Sequence, residues 1–262
     1  MNKKIVFFDI DGTLYDHETG VPKSTIEAIQ QLIANGHIPV ICTGRTRAMI
    51  PDYIVNMGFY GIVAGAGTYV EYKEEIIHNK VEDGAFAKRV LPLLDEHDVT
   101  YIVEGPEYIY YNGKSEEDGY GSIEFIKKIM PNEKIKLIDY NDIQLNKITA
   151  RFPDEEIKFM LIPELKEIFS LISHQGTNFM ELVPQGYNKA TGIEKLTNYL
   201  NIEKQNTYAF GDSTNDLEML DYVQYGIAMG NSYPEVLKRA RYQTKSIQED
   251  GIYYGLKDFG LI

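Results

Sequence analysis

Short apolar runs separated by amphipathic helical patterns constrain this chain more than any other feature. Ile5 to Phe8 is an unbroken apolar run with β-branched and aromatic members, the texture of a strand buried on both faces. Ile38 to Cys42, Gly61 to Ala64, Thr207 to Phe210 and Tyr225 to Met229 repeat it. Between the first two, Ile26, Ile29, Leu32 and Ile33 form one helical stripe. Ser24-Thr25-Ile26-Glu27 reads as a capping box at its start, and Gly36 as the C′ glycine at its end. A broken helical segment around Pro51 follows, running to about Met57. Strands alternating with helices predict an α/β fold, a Rossmann-like parallel sheet with helices on both faces.

The texture changes in the middle of the chain. After a hairpin-like pair, Thr68 to Tyr72 and Ile76 to His78, a helix is expected from Phe86 to about Glu96. Tyr101 to Glu104 and Tyr108 to Tyr111, joined by Gly105-Pro106-Glu107, form a second hairpin signal. Helices near Ile123 to Met130 and Glu164 to Ser173, and strands at Lys147 to Phe152 and Asn178 to Val183, complete an α+β insertion. The first texture resumes with a helix from Asn188 to about Leu200. Ser232-Tyr233-Pro234-Glu235 reads as a second capping box. The expected division is residues 1-82 and 186-262 as one domain, with 83-185 inserted.

In open α/β sheets ligands bind beyond the carboxyl ends of the strands. Here those ends carry Asp9 and Asp11, then Thr43, Gly44 and Arg45, then Asp212, Asn215 and Asp216, with Lys189 opening a helix. No dinucleotide fingerprint and no P-loop run is present. Carboxylates gathered on one rim repel each other unless protonated or bound to a hard cation. An oxygen-only set completed by a substrate phosphate suits Mg²⁺. Such a cation would let the Asp9 carboxylate approach a phosphate ester, and aspartyl phosphates are an established covalent route. A lysine at a helix N-terminus opposes the helix dipole, so a bound anion would account for Lys189.

Asp9-Ile10-Asp11-Gly12-Thr13, Thr43-Gly44-Arg45, Lys189 and Gly211-Asp212-Ser213-Thr214-Asn215-Asp216 resemble the four motifs of the haloacid-dehalogenase-like (HAD) superfamily. An insertion between the second and third motifs is similar to the Cof-type IIB branch with its C2B cap. The resemblance extends to Ala228-Met229-Gly230-Asn231 and Glu249-Asp250-Gly251. It implies Asp9 as nucleophile and metal ligand, and Asp11 as general acid and base whose carbonyl also meets the metal. Thr43 and Lys189 join them as catalytic residues. It implies phosphate contacts from Ile10, Thr43, Gly44, Arg45, Lys189 and Asn215, with Arg45 either binding substrate or pairing with an acid. Asp212 and Asp216 complete the metal set. The implied activity is a Mg²⁺-dependent phosphatase of small phosphorylated metabolites such as sugar phosphates, with the inserted domain contacting the leaving group. Two rivals remain: a phosphotransferase or mutase, and a non-enzymatic phosphate-ester-binding module. One departure stands out. Relatives of this type often carry Asn-Gly-Ala after the third strand, where this chain reads Ala64-Gly65-Ala66-Gly67.

Composition bounds the rest. Acidic residues exceed basic ones, 39 against 26, and a formal charge of −13 disfavours nucleic acid as partner. Cys42, the single cysteine, excludes an internal disulfide and fits a reducing compartment. No run is long enough for a membrane span, so a cytoplasmic protein is expected. Oligomeric state is not legible. The five histidines (His17, His37, His78, His97, His174) show no ligand spacing and are expected to be structural or solvated. Of Tyr101, Tyr108, Tyr110 and Tyr111, strand alternation assigns some to a core and leaves others for a site.

Overall fold

The computed structural model describes residues 3–113, 123–173 and 177–262; His174 lies outside them. The chain divides into two compact units, the first comprising Met1–Gly44, Asp52–His78 and Lys189–Ile262, the second Arg45–Pro51 and Asn79–Asn188. The first unit begins with β1 (Ile5–Phe8), α1 (Lys23–Ala34), β2 (Ile38–Cys42), α2 (Asp52–Val55), β3 (Gly61–Ala64), β4 (Tyr69–Tyr72) and β5 (Glu75–Asn79, its last residue in the second unit). The second unit contains α3 (Gly84–Glu96), β6 (Thr100–Glu104), β7 (Ile109–Tyr111), α4 (Ile123–Ile129), β8 (Ile135–Leu137), β9 (Lys147–Arg151), α5 (Glu155–Ile168), β10 (Phe169–Ser173) and β11 (Phe179–Pro184). The chain returns to the first unit through α6 (Lys189–Tyr199), β12 (Thr207–Gly211), α7 (Leu217–Tyr222), β13 (Tyr225–Ala228), α8 (Pro234–Arg239), β14 (Tyr242–Gln243) and α9 (Gly251–Asp258).

The first unit is the expected α/β sheet, in the order β14-β13-β12-β1-β2-β3-β4-β5. β14 through β3 run parallel and β4 turns antiparallel. From β1 the chain builds outward through β2 and β3 on one side, and later through β12, β13 and β14 on the other. The carboxyl end of β1 is therefore the topological switch point, where such sheets bind ligands. Ile5 and Phe7 pack with Ile193 and Leu196 of α6 and with α7. Phe8 stacks on Phe210, ring centroids 5.3 Å apart. With a side-chain period of two, Asp9 follows Ile5 and Phe7 onto the α6 face.

The second unit is a six-stranded, mainly antiparallel sheet, β10-β11-β9-β6-β7-β8. One face packs Tyr101, Val103, Tyr110, Ile148, Ala150 and Leu182 against α3 and α5. Tyr101 and Tyr110 belong to this core, where their hydroxyls donate to Asp95 and to the Asp142 carbonyl. The opposite face carries a buried ionic group. Lys147 Nζ lies 2.6 Å from Glu181 and 3.4 Å from Glu104, and the hydroxyls of Thr149 and Thr46 donate to Glu104. Burial pushes the Glu104 carboxyl up, against the opposing pull of Lys147.

Several local readings need correction. α1 starts at Lys23 after Pro22, so Ser24 lies inside the first turn and donates instead to Asp250. The buried stripe is Thr25, Ala28, Ile29 and Leu32, with Ile26 and Ile33 of the expected stripe half-buried at its edges. At α8 the N-cap is Tyr233 and Pro234 is the first helical residue, while the Ser232 hydroxyl turns to the Gly211 carbonyl. The helix assigned to 164–173 runs instead from Glu155 to Ile168, capped by Asp154, which accepts from the Ile157 N–H at 2.8 Å. Pro163 inside the helix masked its first half, because proline ordinarily breaks a helix interior. Phe169–Ser173 is a strand, since pairing with β11 there outweighs helical periodicity.

Candidate active site

The turn after β1 is shaped by its backbone. The Ile10 carbonyl accepts from the N–H groups of Thr13, Leu14 and Tyr15, at 3.3, 2.9 and 2.8 Å. Asp9 donates its N–H to Phe210 on β12, tying the ends of the two strands together. Gly12 has φ +80°, and a Cβ there would lie 2.3 Å from Asp212 Oδ2. Only glycine suits that conformation at that distance. Gly12→Ala is therefore expected to displace the Asp212 carboxylate and cut turnover by roughly tenfold or more, while the thermal midpoint falls by a few degrees at most, about the effect of 1 kcal/mol. Steady-state rates and a melting curve check this; unchanged turnover would mean the carboxylate needs no such space.

Lys189 is the centre of the site. It is 1% exposed and stands at the first residue of α6. Its Nζ donates to Asp9 Oδ1 at 2.8 Å, to Asp216 Oδ1 at 2.5 Å and to Asn215 Oδ1 at 3.4 Å. α6 approaches the sheet closely because Gly192 carries no side chain: a Cβ there would stand 2.4 Å from Val63 and 2.9 Å from the Gly67 Cα. The other oxygen of Asp216 accepts from the N–H groups of Asp212 and Ser213, at 3.0 and 2.9 Å. Asp216 thus fixes the turn after β12 and neutralises Lys189 together. Asp212 Oδ1 accepts from the Thr13 hydroxyl at 2.8 Å.

Asp9, Asp212 and Asp216 each offer a carboxylate oxygen within 4.8 Å of the others, all three side chains being buried. Burial pushes the Asp9 carboxyl well above its ordinary range, against Lys189, and the neighbouring carboxylates add to the rise. Asp212 is pushed up to about 7 by burial first and then by Asp216. A buried trio of oxygen donors, with the Asp9 and Asp212 carboxyls both pushed up, fits a hard divalent cation, which would favour their charged forms.

The remaining expected residues are more scattered. Thr43 is 1% exposed at the end of β2, its N–H donating to Val63 and its carbonyl accepting from Ala66. Ala66 itself sits at φ +52°, a left-handed conformation that costs a non-glycine residue about 1 kcal/mol. Gly44 closes the first segment of the first unit. Arg45 belongs to the second unit, and its guanidinium donates to the Met49 carbonyl at 3.5 Å. Asp11 is more open than Asp9, and its carboxylate lies outside the buried trio. Cys42 is buried, and burial raises its thiol far out of the reactive range.

Sequence reading gave no role to Thr13 or Ser213, though both were signalled by their places inside motifs: Thr13 closes the Asp-Gly-Thr turn, and Ser213 opens a Ser-x-x-Asp box that ends in Asp216. His17, expected to be structural or solvated, is two-thirds exposed.

A sheet with this switch point and this acid–lysine cluster defines a class, and the chain matches the haloacid dehalogenase-like hydrolase family over residues 6–256. It belongs to that family, within its Cof-type phosphatases. YkrA of Bacillus subtilis (strain 168), named provisionally as a phosphatase, is 32% identical over 267 residues, spanning 100% of both chains. The 5-amino-6-(5-phospho-D-ribitylamino)uracil phosphatase YwtE of the same organism is 24% identical over 274 residues, covering 96% of each. Among solved structures, the HAD subclass IIB sugar phosphatase BT4131 superposes with a TM-score of 0.82 at 28% identity, over 99% of this chain and 100% of that one. Among the described residues, no helix is long and apolar enough to cross a membrane.

Proposed function

We propose that this protein is a Mg²⁺-dependent phosphatase of small phosphorylated metabolites, sugar phosphates foremost, acting through an aspartyl phosphate on Asp9. The observation that carries this reading is the buried lysine held between Asp9 and Asp216, with Asp212 beside them. One Asp9 oxygen is engaged by Lys189, which orients the carboxylate and leaves the other oxygen for attack on phosphorus. As that bond forms, the ester P–O bond breaks, and Asp11 gives its proton to the departing alkoxide. Asp11 then takes a proton from water, which attacks the same phosphorus, releases inorganic phosphate and regenerates Asp9. Thr43, Gly44, Ile10, Arg45 and Asn215 are assigned to the phosphoryl oxygens, and Lys189 to their charge. Mg²⁺ held by Asp9, Asp212, Asp216 and the Asp11 carbonyl would supply charge neutralisation for the incoming phosphate. We assign residues 83-185 to leaving-group selection and 1-82 with 186-262 to the chemistry. Relatives that act on a sugar phosphate and on a ribitylaminouracil phosphate leave room for either kind of phosphorylated polyol.

Chelation tests the reading. Turnover of a phosphate-ester panel is expected to cease in strong chelator and to return with Mg²⁺; full rate in chelator would contradict it. The folded, metal-free protein holds the Asp212 proton up to about pH 7, against an ordinary value of 3.8. Within that window the folded state binds the extra proton, so this group's contribution to stability falls as pH rises. Mg²⁺ competes with the same proton. Its stabilising shift in the thermal midpoint is therefore expected to be larger at pH 8 than at pH 5.5. Equal shifts at both pH values would remove Asp212 from the metal set.

A further inference from the structure

The loop after the first motif carries a histidine that faces Asp11. His17 Nε2 lies 3.5 Å from Asp11 Oδ1. The loop holding it is tightly built. Asp16 and Gly20 exchange both backbone hydrogen bonds, at 3.0 and 2.8 Å, with Gly20 at φ +77°. Asp16 Oδ1 accepts from the Glu18 N–H, the Thr19 N–H and the Thr19 hydroxyl, and Oδ2 accepts from Gln248. Gly12 and Tyr15 pair across the base of the loop at 2.9 Å. The Tyr15 ring meets the His17 ring edge to face at 5.3 Å. A two-thirds exposed imidazole with no place in any core is thus carried on an anchored turn beside the one carboxylate of the motif that is not buried with Lys189.

We propose that His17 is a positioning residue for Asp11: its Nε2–H holds one carboxylate oxygen so that the other presents its proton to the leaving oxygen of the substrate. This rests on the assignment of Asp11 as general acid. A structural role predicts equal losses on all substrates, whereas a role through the general acid predicts losses that follow the leaving group. A phenolate departs without a proton and an alkoxide does not. The value of kcat/KM reports the steps up to leaving-group release, so it isolates that transfer.

The test compares wild type, His17→Ala and His17→Gln with Mg²⁺ on β-glycerophosphate and on p-nitrophenyl phosphate. Gln places an amide N–H close to the position of the imidazole Nε2. His17→Ala is expected to lose roughly tenfold or more in kcat/KM on the alkyl ester and less than about twofold on the aryl ester. His17→Gln is expected to recover most of the alkyl-ester rate. Equal losses on both esters, no loss on either, or an alkyl-ester loss that Gln leaves unrepaired would overturn the positioning role while leaving the phosphatase reading intact. A wild type silent on both esters would overturn that reading, and this inference with it.

Discussion

Asp9→Asn is expected to abolish turnover, by roughly 10⁴-fold or more, in a protein that remains fully folded. The amide matches the carboxylate in shape but cannot attack phosphorus. The fold has reason to tolerate the change. Lys189 keeps its bond to Asp216 at 2.5 Å, so the buried ammonium stays paired. One carboxylate also leaves a trio whose members lie within 4.8 Å of one another, and burial already raises the Asp9 carboxyl above its ordinary range. Without metal the thermal midpoint should therefore hold or rise. Phosphate release and a melting curve in chelator read both halves. Retention of even about one percent of the activity would count against Asp9 as nucleophile. A fall in the metal-free midpoint would count against the repulsion argument.

Lys189→Met should fail in the opposite way, through stability as much as chemistry. Met fills much of the same volume but leaves Asp9, Asp212 and Asp216 buried without a cation. Removing one partner of a buried ion pair costs about 3–5 kcal/mol, because the remaining charge stays in low dielectric. The deficit should be largest at pH 8. It should narrow towards pH 5 as the stranded carboxylates protonate, and Mg²⁺ should relieve part of it at pH 8. Denaturant unfolding at the two pH values measures this. A loss below about 1 kcal/mol at pH 8 would mean that backbone N–H groups alone sustain these carboxylates.

The contrast between these variants marks what a linear chain discloses. Asp9, Lys189 and Asp216 were legible as candidates because each stands at a strand end or helix start, positions that in an α/β sheet converge by topology alone. Their division of labour was not legible. Asp216 was implied only as a member of the metal set. Its two oxygens in fact serve Lys189 and the N–H groups of Asp212 and Ser213, and it also stands within reach of Asp9 and Asp212. Errors arose where local signals competed. Two capping boxes dissolved because proline at 22 and at 234 set the helix starts instead. In the inserted unit, Phe169–Ser173 became a strand because β11 offered a hydrogen-bonded partner, as in the pairing of Phe169 with Pro184 and Ser173 with Met180.

From the order of its residues alone this chain determined its alternating strands and helices, the motifs at their ends and the kind of chemistry those motifs serve. All of these follow from local periodicity and from the rule that parallel strands open their ligand site at one edge. Only the folded molecule decided which carboxylate shares a lysine and which stands open beside a histidine. Those partnerships join residues up to 180 positions apart, and burial, which no linear pattern records, sets how strongly each pair interacts.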